Sequence, residues 1–491
     1  MERSSGILLP IFSLYNKYGI GTFGKKAYDF VDFLVKAKIK YWQILPLGHT
    51  SYGDSPYQSF STNALNPYFI DINFLIDEGL LKAYEADRIN IYSKKIDYLN
   101  LYIYKTYILK RAFLNFDENK KEYLEFKASN SSWLDDYAYF MAIKNLEEGV
   151  SLLEWRDELK FRNKKALDEL KNNLDFLRDV RFYSFVQFKA FEQYEKLLKY
   201  ANINNVEIIG DLPIYVAMDS VDVWTHKNLF KIDDKFIPKE VAGVPPDYFS
   251  ELGQLWGNPL YNWEAHKEEK YKWWIERIKS SFKLYNCLRI DHFIGFTNYC
   301  SVPFEDTNAK RGVWNKGPGY SFFEAIKKEC GDLKIIAEDL GEVTEEVREV
   351  LKETGFPGMK IIQFAFDGNN NNPNLPKNYL TSNLVLYTGT HDNDTLETFI
   401  RTRTKKELGY IRKYTKDFKG SNLRDKIIDL SLSSVAQLVI IPAADYLGLD
   451  VEARINCPGT CGTNWVTRLE ENALTDSLAE EIRGKIERYN R

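Results

Sequence analysis

Four short segments hold most of the chemistry open to this chain: Gly210-Asp211-Leu212-Pro213, Arg289-Ile290-Asp291-His292, Ala337-Glu338-Asp339-Leu340-Gly341 and Thr390-His391-Asp392-Asn393-Asp394. Each follows or ends a short apolar, β-branched run. Each therefore sets a carboxylate where a strand would meet a loop. A closed barrel of parallel strands gathers such strand ends over one pocket. Two acidic groups in one pocket can act as nucleophile and acid/base in glycosidic bond chemistry.

Asp291 lies two residues beyond Arg289, and strand residues two apart share a face. An Arg beside an Asp holds the carboxylate ionised, the form a nucleophile needs. A buried structural ion pair has the same pattern, and spacing alone does not separate the two. Glu338 ends Lys334-Ile335-Ile336-Ala337 and faces away from Asp339. In a partly apolar pocket shared with Asp291 it would stay protonated and serve as an acid. A capping or surface acid pair is the competing reading. His391-Asp392-Asn393-Asp394 lacks the alternating ligands and later Glu of a calcium loop. It reads as a cluster that contacts hydroxyls, or as an Asx-rich turn. Ser55-Pro56-Tyr57-Gln58, Gly243-Val244-Pro245-Pro246-Asp247-Tyr248 and Gln254-Leu255-Trp256-Gly257 offer rings to stack on a sugar and amides or acids to bind it. Such loops are also common structural turns. No phosphate loop, dinucleotide fingerprint or nucleophile elbow is present.

The elements that must position these residues are eight candidate strands, at 5–9, 41–45, 206–210, 287–290, 335–337, 359–364, 384–387 and 438–442. Most are continuous apolar runs, as expected of parallel strands covered on both faces. Helices are expected between them, among them 24–38, with Phe30, Phe33 and Leu34 on one face, and 341–354, stopping at Gly355. Alternating strands and helices predict an α/β fold, a (β/α)8 TIM barrel. About 160 residues separate strands two and three, far more than one crossover helix needs. There Leu109, Phe113 and Phe116 recur at helical spacing, as do Phe185, Phe188 and Phe191. The predicted organisation is barrel at 1–73, an inserted helical subdomain at 74–205, and barrel at 206–491. A Pro-, Gly- and aromatic-rich loop insertion at about 219–263 is placed over the barrel mouth.

The chain has 491 residues, 66 Lys+Arg and 70 Asp+Glu, a formal net charge of -4. That balance gives no reason to expect nucleic acid or an anionic membrane as partner. Its five cysteines, Cys287, Cys300, Cys330, Cys457 and Cys461, are odd in number and dispersed, which argues for a reducing compartment. Cys457 and Cys461 lack a second ligand pair, so no zinc site is expected. Residues 7–12 form the only apolar run near the N-terminus, broken by Pro10 and too short for a signal peptide. No run reaches the roughly 20 residues of a membrane helix. A cytoplasmic protein is the expectation, and nothing fixes an oligomer beyond monomer or weak dimer.

Taken together, these residues resemble glycoside hydrolase family 77, the 4-α-glucanotransferases of the amylomaltase type. The likeness runs almost end to end: Tyr18-Gly19-Ile20-Gly21, Asp54-Ser55-Pro56-Tyr57-Gln58-Ser59, Asn66-Pro67-Tyr68, Trp133-Leu134-Asp135-Asp136-Tyr137, residues 209–214 and 241–250, the motifs above, Phe364-Ala365-Phe366-Asp367-Gly368 and residues 454–460. The resemblance implies that Asp291 is the nucleophile and Glu338 the acid/base. Asp392, with His391, would grip the donor sugar and stabilise the transition state. Arg289 would partner the nucleophile, with Asp211 as the structural acid of the third strand. Tyr57 and Trp256 would stack on sugar, and Asp247 would lie in the loop over the acceptor side. Ser55, Gln254, His292 and Asn456 complete the expected substrate-binding set. No metal, organic cofactor or C-terminal β-domain is implied. The chain departs from the family at Ile294, where members often carry Arg, at Thr467, where they carry a Trp, and at Pro10-Ile11-Phe12-Ser13, where many carry a His and a Thr.

The implied reaction is a retaining transfer of an α-1,4-glucan segment through a covalent glycosyl–Asp291 intermediate to the 4-hydroxyl of glucose or another glucan. Its two carboxyls are expected roughly 5–5.5 Å apart. A predominantly hydrolytic α-glucosidase or amylase-like enzyme uses the same core, and a non-catalytic glucan-binding barrel is a third reading.

Overall fold

The computed structural model describes residues 2–87, 93–246, 251–341, 343–460 and 462–491. Twelve strands are present among them: β1 Ser4–Leu8, β2 Tyr41–Gln43, β3 Glu207–Leu212, β4 Glu240–Val244, β5 Gln254–Pro259, β6 Cys287–Ile290, β7 Asn298–Pro303, β8 Val313–Lys316, β9 Ile335–Ala337, β10 Gly358–Ile361, β11 Leu384–Tyr387 and β12 Leu438–Pro442. Eight pair in parallel, in the order β10-β11-β12-β1-β2-β3-β6-β9. All eight expected barrel strands lie in this sheet, four with the expected bounds and four displaced by one to three residues at an end. The fold is a TIM barrel.

Between β9 and β10 the wall closes without a regular ladder. The Ala337 N–H donates to Pro357 O at 3.0 Å, and the Asp339 carboxylate accepts the Met359 N–H at 2.6 Å. A side chain thus replaces a missing strand bond. It fits because residue 358 is glycine: a Cβ there would come within 2.6 Å of Asp339 Oδ2. The barrel strands are fully buried over most of their length, and Ile209, Ile336, Ile361, Tyr387 and Ile440 share one packed cluster.

Helix α1 (Lys25–Lys36) follows β1 and turns Phe30, Phe33 and Leu34 inward. Between β2 and β3 the long elements are helical: α2 (Tyr98–Leu114), α3 (Lys121–Leu146) and α4 (Leu174–Ile203). Their aromatic stripes face one another. Phe116 packs on Phe185 at 4.8 Å between ring centres, and Phe113 on Phe185 at 5.4 Å. The helix Glu345–Thr354 ends at Gly355 in the left-handed region (φ 69°), as glycine permits without a Cβ clash.

The stretch 219–263 is more regular than its composition suggested. It contributes β4 and β5 to a second, antiparallel sheet of order β5-β4-β7-β8. β7 and β8 lie between β6 and β9 in the chain. Glycine and proline within these strands hid the period-2 signal, and β5 alternates between half-buried and exposed before its buried end.

Candidate active site

Register does most of the assembly. Parallel pairing sets Asp211 on β3 beside Arg289 on β6, and Ile290 beside Ala337 on β9. The next residues along each strand, Asp291 and Glu338, therefore emerge at neighbouring tips. Arg289 is buried and donates from Nη1 to both oxygens of Asp211 at 2.7 Å and to Asp291 Oδ1 at 3.2 Å. Its Nη2 lies 3.9 Å from Glu338 Oε2. One guanidinium thus reaches three carboxylates, which compensates the cost of burying its own charge.

Glu338 is fixed by backbone as well as side chain. Its oxygens accept the His292 N–H at 2.6 Å and the Leu340 N–H at 3.0 Å. Its carbonyl accepts the Phe293 N–H at 3.0 Å, and its own N–H donates to Ile290 O at 3.1 Å. The first of these contacts requires an unusual turn: His292 sits in the left-handed region, φ 48° and ψ 50°. A non-glycine residue adopts that conformation only at an energetic cost, and here the turn aims two successive N–H groups at Glu338.

Asp392 is placed differently, by a loop after β11. Asn456 donates from Nδ2 to its Oδ1 at 2.6 Å, and His391 Nε2 lies 3.3 Å from the same oxygen. Arg454 donates to the Asp392 carbonyl at 3.0 Å and pairs with Asp394 at 2.6 Å. Asn393 folds back, its Oδ1 accepting from Thr390 N and Oγ1 at 2.8 and 3.0 Å. Of the four residues in this run, Asp392 is the acid held out over the pocket, its side chain 41% exposed. The cluster is thus part turn, with one acid left half-exposed.

Tyr57 closes the floor. It donates to Asp211 Oδ2 at 2.9 Å and stacks on His391, centroids 5.1 Å apart. Trp256 meets His292 edge to face at 4.8 Å, and its Nε1 donates to Gln254 Oε1 at 3.2 Å. Ser55 uses its hydroxyl locally, accepting the Tyr57 N–H at 3.2 Å. Asn456 turns to Asp392 rather than standing alone. Asp247 lies outside the described residues. Among the described residues, no group of three or more His, Cys, Asp or Glu is arranged to hold a metal ion.

The electrostatics follow from crowding acids around one cation. Burial raises the Glu338 carboxyl well above the ordinary range; Arg289 opposes this and Asp291 adds to it. Burial also raises Asp291, against Arg289 and with help from Asp211 and Asp392. Two such neighbours cannot both ionise cheaply, which favours retention of one proton between them. Glu338 is the better holder. Its side chain is 10% exposed and 3.9 Å from the guanidinium, whereas Asp291 is 26% exposed and 3.2 Å away. Burial pushes His292 down to about 4 and lowers His391, against Asp392, so both imidazoles are neutral near pH 7. His292 Nε2 is buried without a hydrogen-bond partner.

Asp339 at the barrel seam and Arg454 beneath Asp392 carried no site assignment in the sequence reading. Asp339 looked like half of an acid pair. Arg454 stood in a recognised motif, but spacing offers no signal that pairs it with Asp394 sixty residues earlier.

The sequence profile of the family described as 4-alpha-glucanotransferase matches residues 9–475. A 4-alpha-glucanotransferase of Clostridium butyricum is 47% identical over 479 residues, 96% of this chain and 98% of that one. A 4-alpha-glucanotransferase of Thermus thermophilus is 41% identical over 503 residues, 100% of this chain and 99% of that one. The solved structure of amylomaltase from Streptococcus agalactiae in complex with acarbose superposes with a TM-score of 0.96 at 39% identity, covering 100% of both chains.

Proposed function

The chain belongs to the 4-alpha-glucanotransferase family and is a glycosyltransferase acting on α-1,4-glucans; from that premise we propose a retaining double displacement carried by Asp291 and Glu338. The observation that carries this reading is the single Arg289 guanidinium within 3.9 Å of both carboxylates, the Glu338 side chain being the more buried and the farther from the cation, which favours the proton on Glu338. Asp291 attacks the anomeric carbon of a bound maltooligosaccharide. Glu338 gives its proton to the departing glycosidic oxygen, and the shortened glucan leaves. Glu338, now ionised, takes the proton from the 4-hydroxyl of an incoming glucan. That oxygen displaces Asp291, and the α configuration is retained.

Asp392 and His391 receive the donor sugar's hydroxyls, with Tyr57 beneath and Trp256 at the acceptor side. The orphaned His292 Nε2 supplies a further neutral hydrogen-bonding group. The same pocket is proposed to bind acarbose, as the Streptococcus agalactiae amylomaltase does. Transfer must exceed hydrolysis although water is abundant, so an acceptor sugar has to be held in attack geometry while water is excluded. The 241–256 segment is assigned to that work, and Asp247 to acceptor contact.

Incubation with pure maltotriose tests the reading. Glucose plus a ladder of longer maltooligosaccharides at a constant count of reducing ends is expected. Rising reducing ends would make the protein a hydrolase. The division into a barrel and a helical subdomain at 74–205 is likewise proposed, and expression of a chain with that segment replaced by a short linker tests whether the barrel folds without it.

A further inference from the structure

Asp445 stands outside the site described above. It lies in the short helix Ala443–Leu447 that follows β12, in an otherwise apolar stretch, and it is 1% exposed. Both of its oxygens are engaged, and both partners belong to another segment. Oδ2 accepts the Thr388 hydroxyl at 2.6 Å; Oδ1 accepts the Leu396 N–H at 2.7 Å. Thr388 follows β11, and Leu396 opens the helix Leu396–Thr402. Residues 389–395, which include His391 and Asp392, are strung between these two points.

We infer that Asp445 is a positioning residue for Asp392, holding both stems of the 389–395 loop at once. Gln363 Nε2 donates to Asp394 O at 2.7 Å and Arg454 pairs with the Asp394 carboxylate, but each of these reaches one stem only. Thr388 N–H reaches Ile440 O only at 3.3 Å. The Leu396 N–H is one of the donors a helix start leaves without an intrahelical partner. Thr395 caps the Thr398 N–H, which leaves Leu396 to Asp445. From inside the site, Asn456 and Arg454 tether Asp392 itself. From behind, Asp445 sets where the loop leaves and rejoins the barrel. A displacement of about 1 Å at a reacting group can cost about 100-fold in rate, so fixing both stems matters to chemistry rather than only to stability.

The inference rests on the proposed role of Asp392, and a double-mutant cycle separates the two. Asp445→Ala is expected to lower kcat/KM on maltotriose by about 100-fold in the natural background and by less than about 3-fold when Asp392 is already Ala. Asp445→Asn keeps one acceptor, and its amide can donate to a reversed Thr388 hydroxyl, so it is expected to retain activity within about 5-fold. Thr388→Val removes one grip at nearly constant volume and is expected to cost about 10-fold; it serves if Asp445→Ala does not fold. An equal factor in both Asp392 backgrounds, for either substitution, would overturn the inference. Acarbose affinity, measured by calorimetry on the same four proteins, reads the cycle without turnover. If the natural chain transfers no glucan, the functional reading fails, and the affinity cycle still decides on Asp445: coupling to Asp392 supports it, and additivity refutes it.

Discussion

The two halves of the pocket are built by different means. Asp291 and Glu338 sit at the tips of paired strands, and backbone N–H groups hold Glu338 from two directions. Asp392 sits on a loop, and side chains from a distant segment hold it: Asn456 and Arg454. Strand register is shared by the whole sheet, so it cannot shift for one residue alone. A loop held by side chains can shift when one of them is removed. The proposed reacting pair should therefore tolerate changes around it and not changes to itself, whereas the Asp392 side should be open to disturbance through its neighbours.

Substitutions of the pair should give the largest effects. Asp291→Asn is expected to lower kcat by about 10⁴-fold or more, read by initial-rate kinetics, since nothing replaces the nucleophile. Glu338→Gln is expected to lower kcat on maltotriose by about 10³-fold; on a maltosyl fluoride, whose leaving group needs little protonation, the first displacement, read as fluoride released in the first turnover, is expected to recover most of that loss while later turnovers stay slow. The pH profile sharpens this. Asp291 must lose its proton and is raised by burial, so the acid limb should lie above the ordinary aspartate range. Glu338 must keep its proton and is also raised, so activity should persist above the ordinary glutamate range and fall as pH rises through its elevated value. Glu338→Gln on the fluoride should keep the acid limb and lose the basic one.

The loop side should respond through its tethers. Asn456→Ala leaves every reacting group in place, yet it is expected to lower kcat/KM by about 30-fold by freeing Asp392. A change below about 2-fold would show that His391 and Arg454 suffice, and would weaken the contrast between the two halves. The smallest effect is expected from Trp256→Ala: a rise in KM of about 5-fold with kcat held within about 2-fold, in keeping with stacking interactions of about 1 kcal/mol.

The same division governs what could be read from the sequence. The eight barrel strands were legible because strands covered on both faces are continuous apolar runs, and their ends marked Asp211, Asp291, Glu338 and Asp392. The second sheet was not, because Gly243, Gly257 and Pro259 interrupt strands that are only partly buried. Arg289 read equally as a structural ion pair or as the partner of a reacting acid, and its contacts, two to Asp211 and one to Asp291, are compatible with either. The tethers were hidden for a different reason. Asp445 meets Thr388 across 57 residues of sequence and Asn456 meets Asp392 across 64, and a lone acid in an apolar helix carries no local sign of its partner. Residues fixed by register announce themselves through patterning; residues fixed by side-chain contact between loops do not.

The most direct test is to trap the intermediate. Glu338→Gln protein would be mixed briefly with a maltosyl fluoride, quenched in acid, digested and examined by mass spectrometry. Asp291 attacks without help from an acid when fluoride leaves, and the missing base then stalls the second displacement. A maltosyl adduct on the peptide that contains Asp291 is expected, and the same adduct should be absent from the Asp291→Asn,Glu338→Gln double variant. Turnover of the fluoride to a β-configured product with no adduct on any peptide would contradict a double displacement through Asp291.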